Sequence, residues 1–233
     1  MKKATKAHKP TPPNQESEVT HFEICWYIPN IVGYLRFIFN MVAIRYAFDT
    51  RTEKWPLFIV FYSLSQGLDS IDGLLARKFN QCSRFGAAMD MISDRTSCAC
   101  IYTILMMIYP ERHFSYLFMT CLILDFGSHF LQFCTAALMK TESHKKDIDK
   151  KNFIVSYYYS NHIFFVSLVT FSEACSVCLV LMRRWEAFRT SKIAFAFTAF
   201  CCVNLTLKMI INVYQWKGAV GQLQSYMKSK KLK

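Results

Sequence analysis

Four aspartates stand in two pairs within stretches of the sequence that are otherwise apolar. Asp69 and Asp72 are three residues apart, and Asp90 and Asp94 are four residues apart. Residues at these spacings share one face of a helix. A carboxylate inside a membrane helix is costly, so it usually faces a cavity or a cation. If the two pairs meet, the four carboxylates repel one another unless a divalent cation offsets their charge. Ligands that are all oxygen favour Mg²⁺ or Mn²⁺, and four carboxylates have room for two ions.

A short polar segment, RKFNQCSRF at 77–85, joins the two predicted helices that carry these pairs. A connection of this length makes the helices antiparallel neighbours, so the two carboxylate faces are expected to meet at one end. Within the segment, Arg77, Ser83 and Arg84 supply donors suited to the oxygens of a phosphate group.

Small residues accompany the carboxylates. Gly73 and Ala76 lie on the first predicted helix, and Gly86 opens the second. A glycine within a helix costs about 1 kcal/mol relative to alanine, and close approach of a ligand or a neighbouring backbone is the usual compensation. A metal site, an arginine and a small-residue slot together predict a site for a nucleotide diphosphate.

The elements that must position these residues are apolar blocks of membrane-spanning length. Each block is close to the roughly 20 residues with which a helix crosses the hydrocarbon, and none alternates as a barrel strand does. The fold class predicted is therefore an all-α polytopic membrane protein, a six-transmembrane-helix bundle. The six blocks cover 31–48, 55–76, 86–109, 114–139, 162–182 and 194–214.

The formal net charge of +12 is concentrated at the ends of these blocks. Lys and Arg are most frequent on the side that holds the 77–85 segment and both tails, which predicts that both termini and the site face the cytosol. This distribution indicates anionic lipid headgroups as partners and excludes nucleic acid. The predicted organisation is a disordered basic tail at 1–20, a membrane domain at 21–216 and a basic tail at 217–233.

The carboxylate region fits the pattern D-x-x-D-G-x-x-A-R, eight residues, then G-x-x-x-D-x-x-x-D. Here it reads DSIDGLLAR at 69–77 and GAAMDMISD at 86–94. This is the signature of the CDP-alcohol phosphatidyltransferase family, which the chain resembles over most of 24–216. Four stretches resemble the family's eukaryotic members that join CDP-diacylglycerol to myo-inositol and release CMP, namely YIPNIVGYLR, NQCSRFGAAMDMISDR, LDFGSHF and TESHKKDID.

The resemblance implies a role for each matching residue. Asp69, Asp72 and Asp90 would ligate the metal ions, and Asp94, near or on the second ion, would be the base that deprotonates the acceptor hydroxyl. Positions that contact CDP-diacylglycerol match Gly73, Arg77 and Ser83. The resemblance also implies a homodimer. Further candidates for the substrate pocket are Asn30, Ala76, Arg84, Gly86, Asp125, His129, Ser143, His144 and Lys145.

Several alternatives remain open from the sequence alone. The signature does not distinguish inositol from serine, glycerol phosphate, choline or ethanolamine as the acceptor. Intramembrane carboxylates also line divalent-cation transporters and channels, or pair with arginines to hold helices together. Lys208 is another intramembrane charge, for which Glu173 is a candidate partner. The final residues KKLK resemble a dilysine retrieval signal and predict location in the endoplasmic reticulum membrane.

Overall fold

A computed structural model describes residues 21–48, 54–139 and 160–231, and within them all regular structure is helical. The predicted all-α class is therefore confirmed for this part of the chain. Ser143, His144, Lys145, the tail at 1–20 and the last two residues of KKLK lie outside the described residues. The helices are α1 (His21–Cys25), α2 (Ile28–Phe48), α3 (Trp55–Lys78), α4 (Arg84–Ile108), α5 (Arg112–Met139), α6 (His162–Arg184), α7 (Glu186–Thr190) and α8 (Lys192–Lys231).

Five of the described helices, α2, α4, α5, α6 and α8, are long and apolar enough to cross a membrane. They give the polytopic membrane architecture. Helix α3 coincides with the second predicted block and has 24 residues, which is a sufficient length, but it is not among the five. Its second half carries Gln66, Asp69 and Asp72, which lower its apolarity. The count of six spans stays a prediction.

The distribution of polar and apolar side chains suits a surface that faces lipid. Large apolar residues are exposed around the bundle, among them Ile163 and Ile193. Polar side chains such as Asn40, Ser93 and Asn212 are buried instead. A membrane helix places its polar groups towards its neighbours, because lipid offers them no hydrogen-bonding partner.

An apolar core fills the half of the bundle remote from the 77–85 segment. It includes Phe58 and Tyr62 near the start of α3, Leu105 near the end of α4, and Phe118 of α5. These residues come from parts of the helices that lie two or more turns away from the aspartates. The core therefore fixes the helices against one another at one end and leaves their polar ends to form the site.

Helix α8 continues well beyond the last apolar block. It runs without interruption from Lys192 to Lys231, so the segment predicted as a basic tail at 217–233 is helical through Lys231. Ala219 within this extension is buried, and Trp216 covers Gly127 of α5 so closely that a Cβ at Gly127 would overlap the indole ring. The end of an apolar block marks where the chain leaves lipid, which need not be where its helix ends.

Candidate active site

The four aspartates converge at the end of the α3–α4 hairpin. One oxygen from each of Asp69, Asp72 and Asp90 lies within 4.8 Å of the others, close enough for all three to contact a single ion. Asp94 stands beside this group without belonging to it. The side chains remain accessible, from 12% exposed at Asp72 to 52% at Asp90. The structure thus separates three ligands that can share an ion from a fourth carboxylate.

A buried arginine of α2 lies beneath the cluster and contacts all four carboxylates. Arg36 Nη1 donates to Asp72 at 2.7 Å and to Asp90 at 3.0 Å, and Nη2 donates to Asp94 at 2.6 Å and pairs with Asp69. Only 2% of its side chain is exposed. One guanidinium offsets one of the four negative charges, so the cluster keeps a strongly negative character that suits divalent cations.

Arg36 was not among the residues predicted for the site. The available signal was its position, since an arginine within the apolar block at 31–48 is costly unless carboxylates surround it. The arginines that could pair with the four aspartates to hold helices together are Arg77, Arg84 and Arg95. Within the described residues, Arg77 and Arg84 form no ion pair within 4.0 Å with the aspartates, whereas Arg95 lies 3.7 Å from Asp94.

A layer of polar side chains supports Arg36 one turn deeper in the bundle. Ser65 of α3 donates to the backbone oxygen of Arg36 at 3.0 Å. Asn40 of α2 donates to Ser97 of α4, and Gln66 of α3 donates to the same hydroxyl at 3.3 Å. These contacts join the three helices that carry the cluster, so the position of each carboxylate depends on the other two helices.

A cavity of about 190 Å³ opens beside the cluster, between α2 and the α3–α4 hairpin. Asp72 and Asp90 form its inner wall, so a ligand there would touch both the carboxylates and the hairpin. Its lining includes the three residues predicted to contact CDP-diacylglycerol, which are Gly73, Arg77 and Ser83. It also includes three candidates for the substrate pocket, namely Asn30, Ala76 and Gly86. Arg84 does not line this cavity.

The hairpin has local reasons for its shape. Asn80 takes a positive φ of 54°, a conformation that asparagine tolerates better than most residues. Ser83 caps α4 by accepting a hydrogen bond from the backbone N–H of Gly86 at 3.0 Å. Gln81 accepts from the backbone N–H of Ile28 at 3.0 Å, which ties the hairpin to the first turn of α2.

Comparison with known proteins identifies the family in which this arrangement of residues occurs. The sequence profile described as CDP-alcohol phosphatidyltransferase matches residues 26–222. The chain belongs to the CDP-alcohol phosphatidyltransferase family. In this family setting, the DSIDGLLAR and GAAMDMISD segments carry the aspartates of the α3–α4 hairpin. No solved structure gives a significant match.

The similar proteins share one name within the family. The chain is 36% identical over 203 residues to CDP-diacylglycerol–inositol 3-phosphatidyltransferase 1 of Arabidopsis thaliana, which covers 83% of this chain and 86% of the relative. It is 30% identical over 196 residues to the CDP-diacylglycerol–inositol 3-phosphatidyltransferase of Mus musculus, covering 77% and 87%. The protein of that name from Saccharomyces cerevisiae is 31% identical over 156 residues, covering 67% and 68%.

Gly86, a position of the family signature, is tightly enclosed. A Cβ built there would lie 2.9 Å from Asn30 Oδ1 and 3.2 Å from Ser83 Oγ. Asn30 cannot easily yield, because it is buried and its amide donates to the backbone oxygen of Ile24 at 2.5 Å. The glycine therefore permits the first turn of α4 to approach α2 at the mouth of the cavity.

We expect Gly86→Ala to lower the affinity for the CDP-lipid and to destabilise the protein by about 1–3 kcal/mol, the usual cost of overpacking. The KM for CDP-diacylglycerol and the melting temperature measure the two effects. Gly218→Ala is the matched control, since nothing lies within 4 Å of a Cβ at this helical glycine. An equal response of the two variants would show that enclosure at Gly86 is unimportant.

A second charged cluster lies next to the first and joins α4, α5 and α8. Arg95 Nη1 pairs with Asp125, and its Nη2 lies 3.7 Å from Asp94 Oδ2. Lys208 Nζ lies 3.6 Å from Asp125 Oδ1, and the amide of Asn212 donates to the same oxygen at 3.3 Å. The ion-pair partner of Lys208 is therefore Asp125. The candidate partner Glu173 forms no ion pair with Lys208 within 4.0 Å, and the two interact only electrostatically over a longer distance.

His129 stands one turn beyond Asp125 and belongs to the same network. Its Nδ1 lies 2.9 Å from the backbone oxygen of Asp125 and 3.3 Å from Arg95 Nη1. Asp125 is completely buried, with both carboxylate oxygens engaged. This geometry gives Asp125 a role in helix packing around Arg95, and its role in a substrate pocket stays a prediction, as does that of His129.

Proposed function

We propose that this chain transfers the phosphatidyl group of CDP-diacylglycerol to myo-inositol and releases CMP. The observation that carries the proposal is the placement of three aspartate oxygens within 4.8 Å of one another, with Asp94 beside them and a cavity adjoining that Arg77 and Ser83 help to line. The relatives that share the family signature are named for this reaction over as much as 83% of the chain.

The CDP moiety occupies the cavity between α2 and the hairpin. Its diphosphate lies towards Asp72 and Asp90, and Arg77 offers a guanidinium that can bind phosphate oxygens in a bidentate manner. The Ser83 hydroxyl already accepts from Gly86, so its own proton is free to be donated to a phosphate oxygen. Gly73 and Ala76 leave room for the nucleotide along α3.

The donor set fits one or two divalent cations. Oxygen-only ligands and the uncompensated negative charge around Arg36 are suited to Mg²⁺ or Mn²⁺, with Asp69, Asp72 and Asp90 as ligands and Asp94 beside the second ion. When bound, such ions supply charge neutralisation of the diphosphate and of the departing CMP.

Asp94 accepts the proton of the attacking inositol hydroxyl. The hydroxyl oxygen bonds to the phosphorus that carries diacylglycerol, the bond from that phosphorus to the bridging oxygen breaks, and CMP departs with the bridging oxygen. Arg36 and Arg95 flank Asp94 on its two oxygens, at 2.6 Å and 3.7 Å respectively. These two contacts orient the carboxylate for the role of a base.

The same proposal includes the setting of the enzyme. Helix α3 forms a sixth span, since its 24 residues extend about 36 Å at 1.5 Å per residue. The site and both termini face the cytosol, in agreement with the excess of Lys and Arg on that side. The enzyme is a homodimer of the endoplasmic reticulum membrane.

The acceptor is tested with the purified full chain, CDP-diacylglycerol and Mn²⁺, offering myo-inositol, serine, glycerol phosphate, choline and ethanolamine in separate reactions. We expect CMP and a new phospholipid only with myo-inositol. Formation of phospholipid only with another alcohol would overturn the choice of acceptor. Absence of CMP release with every alcohol would overturn the reaction itself.

A cation channel is not supported by the arrangement of the bundle. An ion path requires polar residues along the whole thickness of the membrane. In the described residues the carboxylates lie at one end of α3 and α4, and Phe58, Leu105 and Phe118 fill the other end.

A further inference from the structure

A second cavity, of about 460 Å³, lies between α3 and α6. Its wall carries five polar side chains. Tyr62, Val177 and Phe197 are apolar members of the same lining. We call this cavity the α3–α6 groove, and its polar residues are Ser63, Gln66, Ser70, Thr170 and Glu173.

Most of these polar groups have no partner of their own. Among the described residues, the side chains of Ser63, Ser70, Thr170 and Glu173 make no hydrogen bond and no ion pair within 4.0 Å. Ser63, Ser70 and Thr170 are exposed on the surface of the groove and Glu173 is half-buried, so all four can reach a ligand there. Because lipid offers them no hydrogen-bonding partner, the groove suits a polar ligand better than an acyl chain.

The groove begins beside the reacting centre. On α3 it is lined by residues between 62 and 70, whereas the nucleotide cavity is lined by residues between 72 and 77. Asp69 falls between the two sets. Gln66 precedes Asp69 by almost one turn, and its amide donates to Ser97, three residues beyond Asp94. A ligand in the groove and a nucleotide in the cavity would thus approach the carboxylate cluster from different sides.

The chemistry of the lining selects a class of ligand. A carboxylate can accept hydrogen bonds from two neighbouring hydroxyls at once, and serine, threonine and glutamine can each donate and accept. The lining contains Glu173 and no cationic residue, so it offers a phosphate group no direct ion pair. The rings of Tyr62 and Phe197 offer contact for the C–H face of a cyclic polyol.

We infer that the α3–α6 groove binds a neutral polyol through Glu173 and the hydroxyls of Ser70 and Thr170. This inference rests on the proposed function: the groove is the site at which myo-inositol binds before the phosphatidyl group is transferred to it, with one hydroxyl directed towards Asp94. The inference also gives a physical reason for the acceptor, because glycerol phosphate would bring a negative charge beside Glu173.

The test compares steady-state kinetics of the full chain in lipid vesicles with those of Glu173→Gln and Thr170→Val. Each variant should raise the KM for inositol, by about tenfold or more for Glu173→Gln, since it removes a charge-assisted hydrogen bond. The KM for CDP-diacylglycerol should stay within about twofold, as expected for independent sites. Thr120→Val is the matched control, because Thr120 is an exposed threonine that bonds its own backbone at Tyr116.

Three results would overturn the inference: an unchanged KM for inositol in both variants, a rise in the KM for CDP-diacylglycerol instead, or a similar effect in Thr120→Val. Should Glu173→Gln fail to fold, Ser70→Ala and Thr170→Val carry the same test. Equilibrium binding of radiolabelled inositol, with CMP and Mn²⁺ present, measures the occupancy of the groove without turnover. If inositol binds the wild type but not Thr170→Val, the α3–α6 groove is supported as its binding site even when no CMP is released. Equal binding to both proteins would contradict the inference.

Discussion

Asp94→Asn should lower the rate of CMP release by about 10²–10⁴-fold, the range typical of a lost general base. Asparagine has nearly the same shape and can still accept a hydrogen bond from Arg36, which lies 2.6 Å from Asp94 Oδ1. The fold should therefore persist. Because Asp94 lies outside the three-carboxylate group, most of the affinity for the metal should also remain.

Two measurements separate the roles of the aspartates. Turnover is followed as CMP release from CDP-diacylglycerol and inositol, and metal affinity as Mn²⁺ binding by electron paramagnetic resonance. Asp90→Asn is the control, since it removes a member of the group that can share an ion and should weaken Mn²⁺ binding more than Asp94→Asn does. Near-normal turnover in Asp94→Asn would rule out its role as the base.

Removal of Arg36 should produce the largest loss of stability of any single change in the site. Arg36→Gln leaves four neighbouring carboxylates without their buried cation, and breaking a buried ion pair in this way costs about 3–5 kcal/mol. Divalent cations offset the same charges. We therefore expect Mg²⁺ to raise the melting temperature of Arg36→Gln more than that of the wild type.

Melting temperatures in detergent, measured with EDTA and with Mg²⁺, test this expectation. Arg45→Gln is the matched control, because Arg45 is an exposed arginine of the same helix without a described ion pair. If Arg36→Gln melts like Arg45→Gln in EDTA, Arg36 does not hold the cluster together. If Mg²⁺ raises the melting temperature of the variant and of the wild type equally, Arg36 does not offset the charges that the metal offsets.

Local patterns of the sequence were enough to predict the helices and the meeting of the aspartates. Apolar blocks determine spans because lipid cannot satisfy a free backbone amide, and spacings of three and four residues place Asp69 with Asp72 and Asp90 with Asp94. Because the segment between α3 and α4 is short, the two helices are antiparallel neighbours and the two pairs of aspartates must lie close together. The family signature lies within this same stretch of sequence, so it could be recognised without knowledge of the tertiary structure.

Features that depend on packing between distant segments could not be read in this way. A sequence shows that Arg36 and Lys208 are costly in a membrane, but it does not show which carboxylate lies opposite each of them. The rotation and tilt of each helix decide that. The helical continuation of α8 beyond the last apolar block was not predicted for a related reason, since it depends on contacts rather than on apolarity.

The sequence by itself thus determined four aspartates on two joined helices and a membrane setting, because each of these depends on neighbouring residues. The class of reaction was implied by the resemblance of the same segment to a known family. Only the tertiary structure decided that Arg36 lies beneath the aspartates, that Asp125 holds Arg95 and Lys208, and that Glu173 faces a groove beside Asp69. These residues are separated by tens of positions and come from six different helices. Their meeting is a property of how the helices pack, which no local spacing contains.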